Sequence, residues 1–494
     1  MKATLPIALV CLCLSVPAFG DAPVWRGYAG NAQHQAQAPA KAKGVKKILW
    51  STPVDLAPGS GTIYIHYGSP MITASNTVLV PVKTTSSGTF QMTAYNGKSG
   101  KRLWKSSTDY AFAPHDWVPS FPAHITAQNR LYYAGAGGTV YYRDTPDMKT
   151  GASGQLAFFG ISNYQSNKST YDSNVMINGP ITADEAGDIY FSFVVTGSTP
   201  LNLKSGIARI GADGTGSWIS AGDAAGDKSM VEVAQNCAPA VSADQSTIYI
   251  TVTDGGGDGE LLGLDSSTLK KKYKTALLDP TNQQNTYVLD DSSASPTIGP
   301  DGDVYYGVIE NDFGSHNGRG WLLHFSADLT TTKTPGSFGW DDTASIVPTS
   351  MVPSYTGSSP YLLMSKYNNY YGGGPTGDGK NKIAILDPDA TQKDEYSDAT
   401  VMKEIMTLLG PTPYPGGGGA VYEWCINSAV VDVAGKAIIA NSEDGHTYRW
   451  DLAKNKFKGI NLNRPIAEAY TPTLIGPDGT IYAINDAILY ALGK

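Results

Sequence analysis

The sequence predicts an all-β protein made of eight four-stranded antiparallel units that close into a ring, which is an eight-bladed β-propeller. Only 16% of its 494 residues are charged, whereas Gly, Pro and Tyr number 55, 30 and 29, a usage typical of short strands joined by tight turns. A strand-turn-strand phrase recurs eight times, and one strand near the start has no partner beside it. These observations predict a single closed domain over residues 46–494.

The repeated phrase has the features of a β-hairpin. It is clearest in SASPTIGPDGDVYYGVIE (293–310) and YTPTLIGPDGTIYAI (470–484). In both, a Gly-Pro-Asp-Gly turn joins a short apolar strand to a strand of alternating aromatic and aliphatic residues, so Asp301 and Asp478 are interpreted as turn formers. Six looser copies lie at 68–83, 120–144, 178–195, 237–254, 348–367 and 427–451.

A third strand follows each hairpin, as in FQMTAYNGKSGKRLW (90–104), and several units continue into a fourth. One such sheet cannot bury both of its faces, so we expect the units to stack around an axis. The final copy supplies only three strands, whereas KKILWSTPVDL (46–56) stands ahead of the first hairpin. We therefore predict that this N-terminal strand completes the last blade and removes two open sheet edges.

The first 20 residues have the pattern of an export signal: Lys2, an apolar run from Leu5 to Val16, and small residues before a cut near Gly20. That run is too short to span a bilayer, and no longer one follows. We expect residues 21–45 to be a lead-in and the mature protein to be soluble, in the periplasm or outside the cell. A formal charge of −8 excludes nucleic acid as a partner. The expected state is a monomer that binds a small molecule, a glycan or an envelope protein.

The loops that enter the innermost strands form one mouth of the channel, and they combine aromatic with polar residues, as in PHDWVPS (114–120) and VYEWCIN (421–427). Such a mixture in a concave site is typical of a small-ligand or sugar pocket. In the alternative interpretation, the polar groups satisfy the loop backbone and the Trp rings plug the channel. The binding candidates are His66, His115, Asp116, Trp117, Asn178, Asn236, Glu423, Trp424, Glu468 and Tyr470.

No metal site is predicted, because the histidines and acidic residues of the mouth do not have the spacing of a metal motif. TDGGGDGELLG (253–263) is a weak candidate for calcium through Asp254, Asp258 and Glu260. Its register is not that of an EF-hand, and a glycine-rich hairpin turn is the favoured interpretation.

Two cysteines remain once the signal is removed, Cys237 and Cys425. An oxidising compartment permits a disulfide between them, but the sequence does not decide whether they meet. No residue is assigned a catalytic role, since no nucleophile-elbow, Walker or dinucleotide motif is present.

Two stretches resemble the pyrroloquinoline-quinone-like propellers, the quinoprotein alcohol dehydrogenase-like superfamily. AYNGKSGKRLW (94–104) resembles the family's repeat phrase Ala-x-Asp-x-x-Thr-Gly-Lys-x-x-Trp, and WRGYAGNAQHQA (25–36) resembles the lead-in of many exported members. The matched positions of the first stretch are Gly100, Lys101 and Trp104, with Asn96 in the place of Asp and Ser99 in the place of Thr.

The resemblance implies a propeller that in some members binds the quinone and calcium and oxidises alcohols or sugars, and in others is a scaffold without a cofactor. The family's alcohol dehydrogenases carry two adjacent cysteines that stack on the quinone, and this chain has no such pair. We therefore predict a non-catalytic binding or scaffold protein without a cofactor. The alternative is a quinone- and calcium-dependent dehydrogenase. The second alternative is a polysaccharide-binding or polysaccharide-active propeller in which Trp117 and Trp424 stack on sugar rings.

Overall fold

Eight β-sheets follow one another along the chain in the computed structural model and form an eight-bladed β-propeller, as predicted. We number the blades 1 to 8 by the order of their inner hairpins. The structure describes residues 24–58, 68–115, 119–289, 294–371, 376–424, 426–466 and 472–494.

From the channel outwards, the strands of blade 1 are Met71–Ile72, Thr77–Lys83, Phe90–Asn96 and Arg102–Thr108, and those of blade 2 are Ala123–Ile125, Leu131–Ala134, Thr139–Arg143 and Ser153–Ala157. Blade 3 begins with a broken inner strand, Val175–Ile177 and Thr182–Ala183, and continues with Ile189–Val195, Gly206–Ile210 and Gly216–Ser220. Blade 4 also begins with a broken inner strand, Glu232–Val233 and Ala240–Val241, and continues with Thr247–Thr253, Gly259–Asp265 and Lys271–Ala276.

The strands of blade 5 are Thr297–Ile298, Val304–Val308 and Trp321–Phe325, and those of blade 6 are Ser345–Pro348, Tyr361–Tyr367, Lys382–Lys393 and Thr400–Leu409. Blade 7 consists of Gln37–Ala38, Val430–Asp432, Ala437–Ser442, His446–Asp451 and Lys456–Asn461. Blade 8 consists of Thr473–Ile475, Ile481–Asn485, Ile488–Gly493 and Lys47–Pro53. The short helices are Ile161–Ser166, Lys168–Asn174 and Ala221–Ala225, with 3₁₀ turns at Ala136–Gly138 and Thr349–Met351.

The hydrophobic core lies between blades, because each sheet buries its faces against its neighbours. One buried cluster, for example, joins Val80 of blade 1, Ile439 of blade 7 and Ile484 of blade 8. The outer strand of blade 1 contributes Trp104, whose indole Nε1 donates a 2.7 Å hydrogen bond to the Pro146 carbonyl of blade 2. Among the described residues, no helix is long and apolar enough to cross a membrane.

The N-terminal strand closes the ring as predicted: Lys47–Pro53 pairs antiparallel with Ile488–Gly493. Its Trp50 joins blade 8 to blade 1, since the indole Nε1 donates a 2.8 Å hydrogen bond to the Gly97 carbonyl. The indole ring of Trp50 also packs on Gly100. A Cβ added at Gly100 would lie 2.7 Å from the indole, and φ of this residue is +67°. Glycine is therefore required at position 100 for both backbone conformation and space.

Replacing Trp50 by alanine is expected to lower the free energy of unfolding by about 2–3 kcal/mol, because the contact that closes the ring and its hydrogen bond are both lost. Denaturant titration measures the loss. Ile48→Ala on the same strand is the control, since Ile48 is 40% exposed and should cost far less. Equal losses for the two variants would contradict the closing role of Trp50.

Residues 24–43, which we call the belt, circle the channel inside the propeller, although the sequence placed them ahead of it. The belt reaches blade 3 through an ion pair between Arg26 and Glu185. The other blades are reached in chain order by backbone hydrogen bonds: Val24 to Ile72, Ile125 to Arg26, Val241 to Ala32, Ile298 to Gln33, Ile346 to Gln35, Val431 to Ala36 and Lys43 to Gly479.

A two-residue period in NAQHQAQA (31–38) explains how the belt is held. Gln33, Gln35 and Gln37 each donate a side-chain hydrogen bond to an inner-strand carbonyl, of Val241 at 2.8 Å, Ile298 at 3.1 Å and Ile346 at 3.0 Å. The intervening residues, Ala32, His34, Ala36 and Ala38, are buried. Between Ala32 and Ala38 the belt thus advances by about one blade for every two residues, with His34 and Ala36 in the left-handed backbone conformation.

Candidate functional site

The mouth of the channel is formed on one side by blades 3 and 4, where the inner strands are broken. The breaks place Asn178 and Asn236 side by side, and the Asn236 amide donates a 3.0 Å hydrogen bond to the Asn178 carbonyl. The side chain of Asn178 donates to the Val233 carbonyl at 3.3 Å, and the Asn236 side-chain oxygen accepts from the Ser120 amide at 2.7 Å. Both residues are buried.

The opposite side of the mouth, at blades 6 and 7, holds a cluster of charged side chains that we call the acidic cluster: Asp341, Asp342, Lys366 and Glu423. Lys366, on the second strand of blade 6, is 1% exposed and forms an ion pair with Asp341. Asp342 accepts hydrogen bonds from the Ser365 hydroxyl at 2.8 Å and from the Lys366 amide at 3.1 Å. Asp341 has φ +49°, a strained backbone conformation of the kind found at functional sites.

Two carboxyls of the acidic cluster have pKa values raised above the ordinary range of a carboxylic acid. Burial raises the pKa of Asp342 to about 7, and the positive charge of Lys366 opposes that rise. Burial likewise raises the pKa of Glu423 to about 7, opposed by Lys366 and reinforced by Asp341. Glu423 retains partial exposure, which is expected of a side chain that lines a channel.

The belt supplies the floor of the channel through Tyr28. Its hydroxyl lies 2.7 Å from the Thr343 hydroxyl oxygen, so the side chain reaches from the belt to blade 6. Burial raises the pKa of the Tyr28 phenol. A small cavity beside it is lined by Ser69, Asn427 and Pro472. Tyr28 thus occupies the position expected of a plug, a role that the sequence analysis considered only for Trp residues.

Trp424 is not available to a ligand, which corrects its place among the candidates and its proposed stacking on sugar rings. Its side chain is completely buried, with the ring centroid 5.5 Å from that of Tyr448. The physical reason is that the residue packs in the core between blades 6 and 7. Its neighbour Glu423, in contrast, is partly exposed.

The remaining candidates are only partly described. His115 is half-buried in the loop before blade 2, where its Nδ1 lies 2.7 Å from the Ala113 carbonyl. Cys237 is a free, completely buried thiol, which argues against the disulfide to Cys425 that the sequence left open. The other predicted residues lie outside the described part of the chain: His66, Asp116, Trp117, Cys425, Glu468 and Tyr470.

The weak calcium candidates form a hairpin turn and do not converge. Asp254 accepts the amides of Gly256 and Asp258, at 2.7 and 3.0 Å, and so shapes the turn. Asp258 accepts a 2.6 Å hydrogen bond from Asn285, and Glu260 is paired with Lys274 at 2.8 Å.

Sequence reasoning did not find Asp341, Asp342, Lys366 or the floor residue Tyr28. Lys366 carried a signal, since it is a lysine within the otherwise uncharged strand YLLMSKY (361–367). A buried lysine is rare unless it is paired, so its position in a fully buried strand pointed to a nearby carboxylate. The adjacent pair Asp341 and Asp342 is the other half of that signal.

Comparison with known proteins supports the fold and leaves the activity open. No family model and no curated protein matches the sequence. A europium-containing methanol dehydrogenase superposes with a TM-score of 0.56 at 9% identity, over 94% of this chain and 89% of the other. The quinohemoprotein alcohol dehydrogenase of Comamonas testosteroni gives 0.57 at 11% identity, over 97% and 82%. Sqt1 of Saccharomyces cerevisiae gives 0.50 at 9%, over 92% and 99%.

The class defined by these observations is that of the eight-bladed propellers. Within that class, the chain has the fold of the quinoprotein alcohol dehydrogenases, which agrees with the resemblance carried by its repeat phrase. Identities of 9% and 11% extend this likeness to the fold alone.

Proposed function

We propose that the mouth of the channel binds a small hydroxyl-bearing molecule of the alcohol or sugar class. The observation that carries this proposal is Glu423, a carboxyl at the mouth with its pKa raised to about 7. A carboxyl accepts a hydrogen bond from a hydroxyl as the carboxylate and donates one as the acid, and a raised pKa brings the acid form closer to neutral pH. Of the possible forms of this function, the sequence favours binding without catalysis.

The charges around Glu423 favour a neutral ligand. Lys366 is already neutralised by Asp341, so the acidic cluster has no surplus positive charge for an anion. Across the mouth, Asn178 and Asn236 provide amide groups rather than charges. Neutral hydroxyls satisfy such donors and acceptors without the cost of desolvating a second charge.

A second candidate function is the oxidation of that alcohol or sugar by a bound quinone. The fold neighbours favour it over a purely structural role, since two of them are alcohol-oxidising dehydrogenases. Glu423 is consistent with it as well, because a base that accepts a hydroxyl proton works best with a pKa near the operating pH.

The described residues do not by themselves fit pyrroloquinoline quinone and calcium. Among them, no group of three His, Cys, Asp or Glu side chains is placed to hold a metal ion. The quinone is a tricarboxylate, and the buried cations near the mouth are engaged: Lys366 by Asp341, and Arg319 by the carbonyls of Ser337 and Asn368. We therefore derive no step through the quinone.

Export is part of the proposal. Val24, four residues after the predicted cut near Gly20, donates a 2.9 Å hydrogen bond to Ile72, so the chain that follows the cut packs on blade 1. The mass of the secreted chain checks this, and a chain retaining residues 1–20 would contradict it.

Calorimetric titration of the purified, metal-stripped chain with a panel of small alcohols and monosaccharides tests the function. We expect saturable binding whose affinity changes with a midpoint near pH 7, and a changed pH dependence in Glu423→Gln, where Asp342 remains as a carboxyl with a raised pKa. Glu395→Gln is the matched control, since Glu395 is exposed on an outer hairpin of blade 6. Absence of binding across the panel, or an unchanged midpoint in Glu423→Gln, would reject the proposal.

The same preparation decides between the two candidate functions. Titration with pyrroloquinoline quinone in the presence of calcium, followed by a dye-linked oxidation assay, has two informative outcomes. Saturable quinone binding with dye reduction supports the second candidate function, a quinone-dependent dehydrogenase. Alcohol or sugar binding without quinone binding supports a binding protein that does no redox chemistry.

A further inference from the structure

A groove of about 1270 Å³ lies between blades 3 and 4 on the side of the mouth. It exceeds the roughly 300–1,000 Å³ of typical small-molecule sites, so its size suits an elongated ligand. Neither Lys366 nor Glu423 lines it, which separates the groove from the acidic cluster. Its walls come from the hairpin at 194–205, the segment 220–235 and the ends of the loops at 113–114 and 288–289.

One buried carboxamide oxygen at the inner end of the groove, that of Asn178, lacks a hydrogen-bond partner in the described part of the chain, and a second carboxamide, that of Gln235, lines the groove. Asn178 is 5% exposed, and its side-chain oxygen is buried with no partner among the described residues. Gln235 is 9% exposed and lines the groove, and none of the hydrogen bonds among those residues involves its side chain. Buried polar groups are normally paired, so the unpaired oxygen of Asn178 beside the groove indicates a ligand that supplies the missing donor.

The other lining residues are electrically balanced and partly apolar. Lys228 is paired with Asp223, and the remaining charges in the described lining are one lysine, Lys204, and one glutamate, Glu232. Exposed apolar side chains stand at the rim, Val231 at 51% and Leu289 at 41%. None of the described lining residues is aromatic, so the platform on which sugar rings usually stack is missing there.

We propose that the groove binds an extended peptide segment with uncharged, partly apolar side chains. A peptide backbone presents an N–H and a C=O at every residue, and each requires a partner when it is buried. The Asn178 oxygen accepts from a backbone N–H, while the Gln235 carboxamide offers a donor and an acceptor to one peptide unit. Val231 and Leu289 cover apolar side chains of the segment. The groove shares Asn178 with the mouth, whereas Gln235, Val231 and Leu289 have no part in the function proposed for the acidic cluster.

The test uses the full mature chain, labelled and applied to an array of eight-residue peptides of uncharged composition and to an array of neutral oligosaccharides. The best peptide is then titrated against variants by fluorescence polarisation. Gln235→Ala and Val231→Glu are each expected to weaken binding about tenfold or more, through loss of a hydrogen bond and through a charge at the apolar rim.

Two variants serve as controls and should bind the peptide as the unmodified chain does. Met148→Glu places the same charge on an equally exposed apolar residue of blade 2, away from the groove. Glu423→Gln alters the acidic cluster alone, so its effect separates failure of this proposal from failure of the proposed function. Val231→Glu is at an exposed position and keeps the test valid if Gln235→Ala does not fold. Binding of oligosaccharides instead of peptides, binding of neither, or wild-type affinity in both groove variants would overturn the proposal.

Discussion

Replacing Lys366 by methionine is expected to lower the free energy of unfolding by about 3–5 kcal/mol, the usual consequence of leaving a buried charge without its partner. Methionine approximates the length of the lysine side chain, so the loss reports charge rather than a cavity. The side chains of Lys366 and Asp341 are 1% and 10% exposed, and water therefore cannot replace the missing ammonium group.

The double variant Lys366→Met with Asp341→Asn isolates the pair. We expect it to recover most of the stability, because it removes both the buried ammonium group and the carboxylate paired with it, whereas the sum of the single losses would be larger. Denaturant titration of the four proteins gives the coupling energy. If the double variant loses as much as the two single variants together, the two side chains do not act as a pair.

Lys366 also governs the ionisation of Glu423, and this supplies a readout besides stability. Removing the ammonium group removes a charge that lowers the pKa of Glu423, so that pKa should rise above about 7. The midpoint of ligand binding should then move to higher pH in Lys366→Met. An unchanged midpoint would show that Glu423 does not control binding.

Acid should destabilise the protein through His34, and His34→Asn should remove this part of the pH dependence. The Nδ1 atom of His34 lies 2.7 Å from the Pro296 carbonyl and donates to it, which leaves Nε2 as the unprotonated nitrogen, buried and without a partner. Burial lowers the pKa of His34 from 6.5 to about 4. The unfolded chain therefore binds more protons than the folded one between these two pH values.

The stability contributed by neutral His34 is present above pH 6.5 and is lost as pH falls to about 4, where the accumulated loss is about 3 kcal/mol. Acid also destabilises the folded state through His124, whose pKa is lowered to about 3, whereas it stabilises the folded state through Asp342, whose pKa is raised to about 7.

The difference in free energy of unfolding between wild type and His34→Asn, measured from pH 7 to pH 4, isolates the contribution of the His34 imidazole. His446→Asn, at a partly exposed position in blade 7, is the control, and a constant difference for His34→Asn would refute the prediction.

Blade number and ring closure were predictable because they depend on local features of the chain. Hairpin strands adjoin in sequence, and the Gly-Pro-Asp-Gly turns at Asp301 and Asp478 mark where the chain reverses. The closing strand at Lys47–Pro53 could be found because the last blade lacked one strand, so that a single unpaired segment remained to fill it.

The site could be predicted only in part. Glu423 and the two asparagines became candidates because their loops precede inner strands. Lys366 did not, because it lies within a strand, where a lysine is easily taken for a solvent-facing residue. Trp424 was assigned wrongly for the complementary reason: a loop position next to a strand does not reveal whether the ring faces the channel or the space between two blades.

The belt shows most clearly where local sequence stops being informative. Its alternation of Gln with buried residues indicates a segment with two faces, but the carbonyls that accept from Gln33 and Gln37 are 208 and 309 residues away in the chain. Hairpins are specified by neighbouring residues and turn chemistry, so the chain itself defines eight blades. Three other features depend on which distant segments exclude water: the pairing of Lys366 with Asp341, the neutral state of His34 and the path of the belt. Those segments come together only when the ring is closed.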